Sequence, residues 1–311
     1  MTDVAPRTTV AFVAGWGRSG STLLGRLLAT PPDVVDAGEL FLLWTHGDLG
    51  RRCACGALLG DCPQWAPVVD SVAASRGGSW ADIVDAQHHR YRTGLRTRAL
   101  WRATSSHPPA EARAFGKVTT SVAKALAATT GVKVVVDTSK VAGALVGSLA
   151  DPMAEVRIVH LVRDPRGVAA SWGRQVSHAG GGRLAEHGAA RSAIEWVARN
   201  VAVGVVARRR DVPRLFVTYD ELIGAPHHTL ARVRAFLDLP PESAPIVDGV
   251  AVFEPSHAIG GNPARSAAGD VPLVADERWR AELDRWERVV VTAVAGPWWW
   301  AWRRRARSFS S

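Results

Sequence analysis

The chain is poor in cysteine, in long apolar runs and in internal repetition. Three cysteines occur in 311 residues, an odd number, and all of them lie between Cys53 and Cys62. That usage excludes a secreted domain stapled by disulfides. No stretch reaches the roughly 20 apolar residues needed to span a bilayer. The apolar segment from Val10 to Ala14 is too short for a signal-peptide core and is interrupted by Gly15 to Gly20. A soluble, cytoplasmic protein is therefore expected. No repeat and no composition break divides the sequence, so residues 1–311 read as one domain. RNA-binding and helix-turn-helix signatures are absent too. Nucleic acid, which usually needs a continuous basic stripe, is not an expected partner.

The chain does carry a positive excess, 38 Lys and Arg against 29 Asp and Glu, and 47% hydrophobic residues. The hydrophobic fraction is enough for a sizeable core. The charge favours an anionic partner, and a phosphorylated cofactor needs only a few cations at one site. Apolar runs at Thr8 to Ala14, Val132 to Val136, Val156 to Val162 and Leu215 to Tyr219 read as buried strands. Between them, helical patterns cover Ser21 to Ala29, Ala110 to Thr129, Lys140 to Leu149, Ser192 to Arg210 and His228 to Leu237. This alternation predicts a three-layer α/β/α fold, similar to that of P-loop proteins, around a central parallel sheet. The polar motifs follow the strands directly, where such folds gather their functional groups. Residues 250–272, rich in Gly, Pro, Asn and Ser, read as a long loop of functional length.

The first strand runs into Gly15-Trp16-Gly17-Arg18-Ser19-Gly20-Ser21-Thr22 and then an apolar helix. Such a turn presents backbone N–H groups to an anion at a helix start, and Ser19, Ser21 and Thr22 add hydroxyls. The spacing is that of a nucleoside triphosphate loop, but Ser21 stands where that motif needs Lys. A triphosphate would be under-neutralised there. An anion with fewer charges, helped by Arg18, fits better. The bland alternative, a Gly-rich turn without a ligand, leaves three hydroxyls and an Arg unexplained.

Together with Arg163-Asp164-Pro165-Arg166-Gly167-Val168-Ala169-Ala170-Ser171 after the third strand, this loop resembles the sulfotransferase superfamily. Its members use 3′-phosphoadenosine 5′-phosphosulfate (PAPS) as sulfuryl donor. The resemblance implies that Arg18, Ser19, Gly20, Ser21 and Thr22 hold the 5′-phosphosulfate, and that Arg163 and Ser171 grip the 3′-phosphate. Asp164 and Pro165 suit a helix start, which puts Ser171 about two turns along. Three further blocks support the likeness. Asp137-Thr138-Ser139-Lys140 is similar to a Ser-Lys of bacterial members. Val217-Thr218-Tyr219-Asp220-Glu221-Leu222 resembles the segment whose Tyr contacts the adenosine. His257 to Arg265 resembles a loop that closes over the nucleotide, with Arg265 as its cation. The family's fold assigns residues 41–110 to an acceptor-side helical insert and residues 250–272 to the cofactor-covering loop.

The chemistry this implies is an in-line displacement at sulfur, without a metal. It needs positive charge at the leaving oxygen, for which Arg18 and Lys140 are the candidates, and a base at the acceptor hydroxyl. Glu39, in Asp36-Ala37-Gly38-Glu39-Leu40, matches the Gly-Glu of the protein-tyrosine branch and is the preferred base. His46 is the rival. His160 lies within an apolar strand and reads as a core residue, and the role of His257 is left open. The rival functions are a P-loop kinase using ATP and a non-catalytic protein that binds nucleotides or an anionic membrane.

Two features stand apart. Cys53, Cys55 and Cys62, with His46 as a fourth ligand, have the residue types of a zinc site, but the Cys-x-Cys spacing is unusual. A disulfide between two of the three and a reduced, packed insert are the other readings, and the packed insert is preferred. The tail Pro297-Trp298-Trp299-Trp300-Ala301-Trp302, followed by Arg303 to Arg305, suits weak contact with an anionic membrane face. A terminal helix packing its tryptophans on the domain is the preferred reading. Trp44, Trp65, Trp80 and Trp101 fall where an acceptor pocket would form, although tryptophans fill cores equally often. The acceptor's class, whether glycan, lipid-linked or small molecule, is open.

Overall fold

The computed structural model describes residues 8–46, 52–95, 101–102, 104–105, 107–174, 188–241, 244–260 and 262–308. Five parallel strands form the central sheet: β1 (Thr9–Gly15), β2 (Val34–Gly38), β3 (Val134–Lys140), β4 (Glu155–Val162) and β5 (Arg214–Thr218). They lie side by side in the order β2-β3-β1-β4-β5. The pattern follows from β1 itself, whose residues are buried on both faces. Val10, Phe12 and Ala14 enter one core, and Ala11 and Val13 enter the other. The apolar runs thus mark strands covered by helices on both sides.

On one face pack α1 (Ser21–Leu28), α9 (Tyr219–Gly224) and α10 (Pro226–Phe236). The other face carries α3 (Trp65–Arg76), α4 (Trp80–Gly94), α5 (Ala110–Thr130), α6 (Ala142–Leu149) and the end of α8 (Ala189–Arg209). Short α2 (Phe41–His46) follows β2. A third core joins α7 (Pro165–Gly173), α11 (Trp279–Glu282) and α12 (Arg285–Ser308) to α8.

Three expectations change. β2 lacks a long apolar run and escapes periodicity, because Val34-Val35-Asp36-Ala37-Gly38 is short and carries an acid. The Asp137 to Lys140 block does not follow its strand but forms the end of β3, so the next helix begins at Ala142 rather than at Lys140. Residues 250–272 are not structureless. A small antiparallel sheet joins β6 (Ile246–Val247), β7 (Val250–Phe253) and β8 (Gly269–Pro272), with a short turn at Pro263–Ser266 before β8. Residues of this kind pair across strands too short to show a period.

The covering segment is stitched to the main sheet at one point. Ile259 donates its N–H to the Ala37 carbonyl (2.9 Å), and Glu39 donates its own to the Ile259 carbonyl. A side chain at Gly38, where φ is 73°, would stand 2.0 Å from the Ile259 oxygen. Gly38→Ala should therefore cost about 2–3 kcal/mol in urea unfolding, from the clash and the left-handed backbone together. An unchanged midpoint would refute this packing.

Candidate active site

The carboxyl ends of the strands bring the polar motifs to one edge of the sheet. After β1 the chain turns through Gly15, Arg18 and Gly20, all at positive φ (144°, 67° and 91°), and α1 begins at Ser21. No side chain caps this helix, so its first N–H groups face the turn. Ser19 is 2% exposed, and its hydroxyl oxygen has no hydrogen-bond partner among the described residues. Leaving such a group unmet costs about 1–3 kcal/mol, which an anion seated in the turn would offset. The residues present fit the 5′ end of an anionic nucleotide. Thr22 lies beside Ser21 in the first turn of α1.

Two aromatic rings wall the turn. A side chain at Gly17 would stand 2.8 Å from the Trp172 ring, and one at Gly20 would stand 2.7 Å from Tyr219. Trp172 stacks on Trp16 (5.4 Å between centroids) and lies 5.2 Å from the Arg18 guanidinium. It follows buried Ser171 on α7, and Asp164 starts that helix by accepting a hydrogen bond from the Arg166 N–H (2.8 Å). Tyr219 is fixed as the first residue of α9 by a capping box between Thr218 and Glu221.

Arg163 joins these pieces. Its buried guanidinium donates to the Arg18 carbonyl (3.2 Å) and to the Asp276 carbonyl (2.7 Å). It also pairs with the Asp276 carboxylate (3.2 Å) and sits 4.5 Å over the Tyr219 ring. Asp276, which nothing in the sequence singles out, holds Arg174 and Arg278 as well. The hydrogen bonds from Arg278, together with Arg163, keep the Asp276 carboxyl well below the usual range.

Glu39 and Lys140 meet on the other side of the turn. Lys140 Nζ lies 3.1 Å from Glu39 Oε1 and donates to the Thr138 carbonyl (2.6 Å). Lys140 ends β3 beside Ala14 of β1 and takes positive φ (67°). Burial holds the Arg18 guanidinium below its ordinary value. Arg174 adds to that, and the Glu39 carboxylate opposes it, so Arg18 also feels Glu39. The Ser139 hydroxyl bonds Asp137 and accepts from the Phe41 N–H (2.9 Å), which ties β3 to the segment after Glu39. A side chain at Gly260 would stand 3.2 Å from Glu39. Arg265 is buried in the turn at Pro263–Ser266. Arg26 secures that turn by donating to the Ala264 (3.0 Å) and Glu254 (2.9 Å) carbonyls, a strut that sequence reasoning missed.

The remaining candidates fall elsewhere. His160 is buried, contacts Asn200 (2.9 Å) and is pushed by burial down to about 4, as a core residue would be. The side chain of His46 lies outside the described residues. His257 stands at the cysteines, 3.3 Å from Cys62 Sγ and 3.7 Å from Cys53 Sγ. Trp44, Trp65 and Trp80 fill the core, whereas Trp101 is exposed. In the tail, Trp299 is buried and Trp302 packs on Trp196 and Phe216, while Trp298 and Trp300 are exposed. No helix among the described residues is long and apolar enough to cross a membrane.

Residues 11–243 match the family model described as "Sulfotransferase family". The chain belongs to that family. The sulfotransferase domain from the curacin biosynthetic pathway has the same fold. It is 15% identical with a TM-score of 0.50, and the alignment covers 93% of this chain and 96% of that one. A sulfotransferase from Alicyclobacillus acidocaldarius aligns over 96% of this chain and 99% of its own, at 14% identity and a TM-score of 0.35. No curated protein matches the chain. Sulfotransferases of this family use PAPS, and the fold has the expected five-stranded parallel sheet flanked by helices.

Two buried acids beneath the site set a pH dependence. Burial raises Asp36 to about 7 and Asp137 to about 6, while hydrogen bonds from the Gly38 and Ser139 backbones oppose it. A carboxyl raised in the folded state stabilises the fold while protonated. That contribution is complete below about pH 4 and is lost as the pH rises through about 7. Asp36→Asn keeps an acceptor for Gly38 N–H (2.9 Å in the wild type) and never ionises. Its stability relative to the wild type should therefore climb by about 1–4 kcal/mol between pH 4 and 7 in thermal melts. A constant difference across that range would contradict the assignment.

Proposed function

We propose that the chain transfers a sulfuryl group from PAPS to a hydroxyl of its acceptor, with Glu39 receiving the acceptor proton. When bound, PAPS supplies a sulfuryl group whose S–O bond to the bridging phosphate oxygen breaks as the acceptor oxygen bonds to sulfur. The turn from Arg18 to Thr22 would hold its 5′ end through backbone N–H groups and the hydroxyls of Ser19, Ser21 and Thr22. Arg163 and Ser171 would hold the 3′-phosphate, Tyr219 the adenosine side and Arg265 the closed edge. Arg18 and Lys140 supply positive charge where the leaving oxygen develops negative charge. The pair between Lys140 and Glu39 keeps the carboxylate in place beside those cations.

The reading is carried by Arg163, a buried cation in contact with both the phosphate turn and Tyr219. An ATP kinase has no need of a second anion grip beside its triphosphate loop, and Ser21 stands where such a loop needs Lys. The acceptor would enter past the insert of residues 41–110. A glycan, a lipid-linked alcohol and a small metabolite are all compatible with that route.

Calorimetric titration with 3′-phosphoadenosine 5′-phosphate, Mg·ATP and AMP tests the donor. The bisphosphate should bind tightest, and Arg163→Ala should weaken it about 10- to 100-fold while leaving AMP little changed. Equal or tighter binding of Mg·ATP would favour the kinase. Glu39→Gln should bind the bisphosphate normally yet turn over about 10²–10⁴-fold more slowly with an acceptor found by screening. Undiminished turnover would move the base elsewhere.

A further inference from the structure

The cysteine-bearing turn of the insert meets a residue about 200 positions away. Cys62 Sγ lies 3.3 Å and Cys53 Sγ 3.7 Å from His257 Nδ1, and Cys55 Sγ lies 3.9 Å from Cys62 Sγ. All four ligand atoms lie within 4.8 Å of one another. A tetrahedral zinc, with Zn–S near 2.3 Å and Zn–N near 2.0–2.1 Å, sets sulfurs about 3.8 Å apart and sulfur and nitrogen about 3.6 Å apart. The three observed separations agree with those values to within about 0.3 Å. A disulfide would bring two sulfurs to about 2.05 Å, and all three cysteines are free thiols.

The chain builds this arrangement from both sides. Gly56, at φ 88°, allows the turn in which Cys53 donates to the Ala57 carbonyl (2.9 Å) and Gly56 to the Cys53 carbonyl (3.0 Å). The N–H groups of Cys55 and Ala57 point to the sulfurs of Cys53 and Cys55. Across the gap, Trp65 Nε1 donates to the His257 carbonyl (2.7 Å), and the Ala54 N–H donates to the Ala258 carbonyl (3.3 Å). Cys53 and Cys62 are buried, His257 is half-buried and Cys55 is exposed. A metal could therefore enter from the Cys55 side.

We propose that Cys53, Cys55, Cys62 and His257 bind one structural Zn²⁺. Three soft thiolates and an imidazole select zinc over hard cations, and a Cys₃His set leaves no open position for chemistry. Its work is positional. Two residues beyond His257, Ile259 pairs with Gly38 beside Glu39. The ion would thus lock the insert, the cofactor-covering segment and the base together, without touching a reacting atom.

The full chain, purified without chelator, should carry about one zinc per molecule by elemental analysis. Exchange for Co²⁺ should give the intense ligand-field bands of a tetrahedral site, with thiolate-to-cobalt charge transfer. Cys62→Ser and His257→Ala should lose the metal. His257→Cys should keep it, with stronger charge transfer. Chelation of the wild type should speed amide exchange at Ala258 and Ile259. The proposal fails if the native protein holds no zinc and shows no cobalt spectrum after reconstitution. It fails equally if its mass reveals a disulfide among the three cysteines, or if the metal found is iron. None of these readings uses sulfuryl transfer, so an error in the donor or acceptor assignment would not be mistaken for an error here.

Discussion

The approach of Gly38 to Ile259 governs how the site is assembled. The two backbones lie too close for any side chain to fit between them. That contact draws the covering segment onto the edge of the main sheet at the residue before Glu39. Glu39 then faces Lys140, which ends the neighbouring strand. From there the covering segment runs on to the turn at Pro263–Ser266, which Arg26 of α1 holds through the Ala264 carbonyl. Remove the contact, and Glu39, the turn at Pro263–Ser266 and the turn after β1 lose their common frame.

Strain marks the same place. Five non-glycine residues among those described take positive φ: Arg18, Lys140, Asp211, Asp238 and Asp248. Aspartate tolerates the left-handed region through local hydrogen bonds. Arg and Lys have no such excuse, and they are the two cations expected to face the leaving oxygen. Each costs roughly 1 kcal/mol or more, which the surrounding sheet and helices hold in place. Glycine at either position would relieve that strain but would also remove the charge.

The parts that were legible in sequence are those with a local cause. β1 and β4 show as apolar runs because both of their faces are buried. Asp164 and Pro165 announce the start of α7, and the phosphate turn announces itself through its glycines. What stayed hidden depends on distant pairing. Nothing near Asp276 says that it holds Arg163, and nothing near His257 says that it faces Cys62. Nearness in the chain could not point to His257, which the fold brings to the cysteines from about 200 residues away. Of the tryptophans that could line an acceptor pocket or fill a core, Trp44, Trp65 and Trp80 lie in the core, since an indole ring serves both purposes and its surroundings choose between them.

The contacts that complete the site join the first quarter of the chain to its last third. Gly38 pairs with Ile259, Arg26 reaches Ala264 and Cys62 meets His257. During synthesis the amino-terminal part emerges first, at about 5–20 residues per second. The phosphate turn and β2 must therefore wait, exposed, while some 200 further residues are made. A truncated or stalled chain ending before Ile259 has no partner to offer Gly38, however well its sheet has formed. The site is thus completed late, and an incomplete product carries the turn after β1 without the segment that covers it.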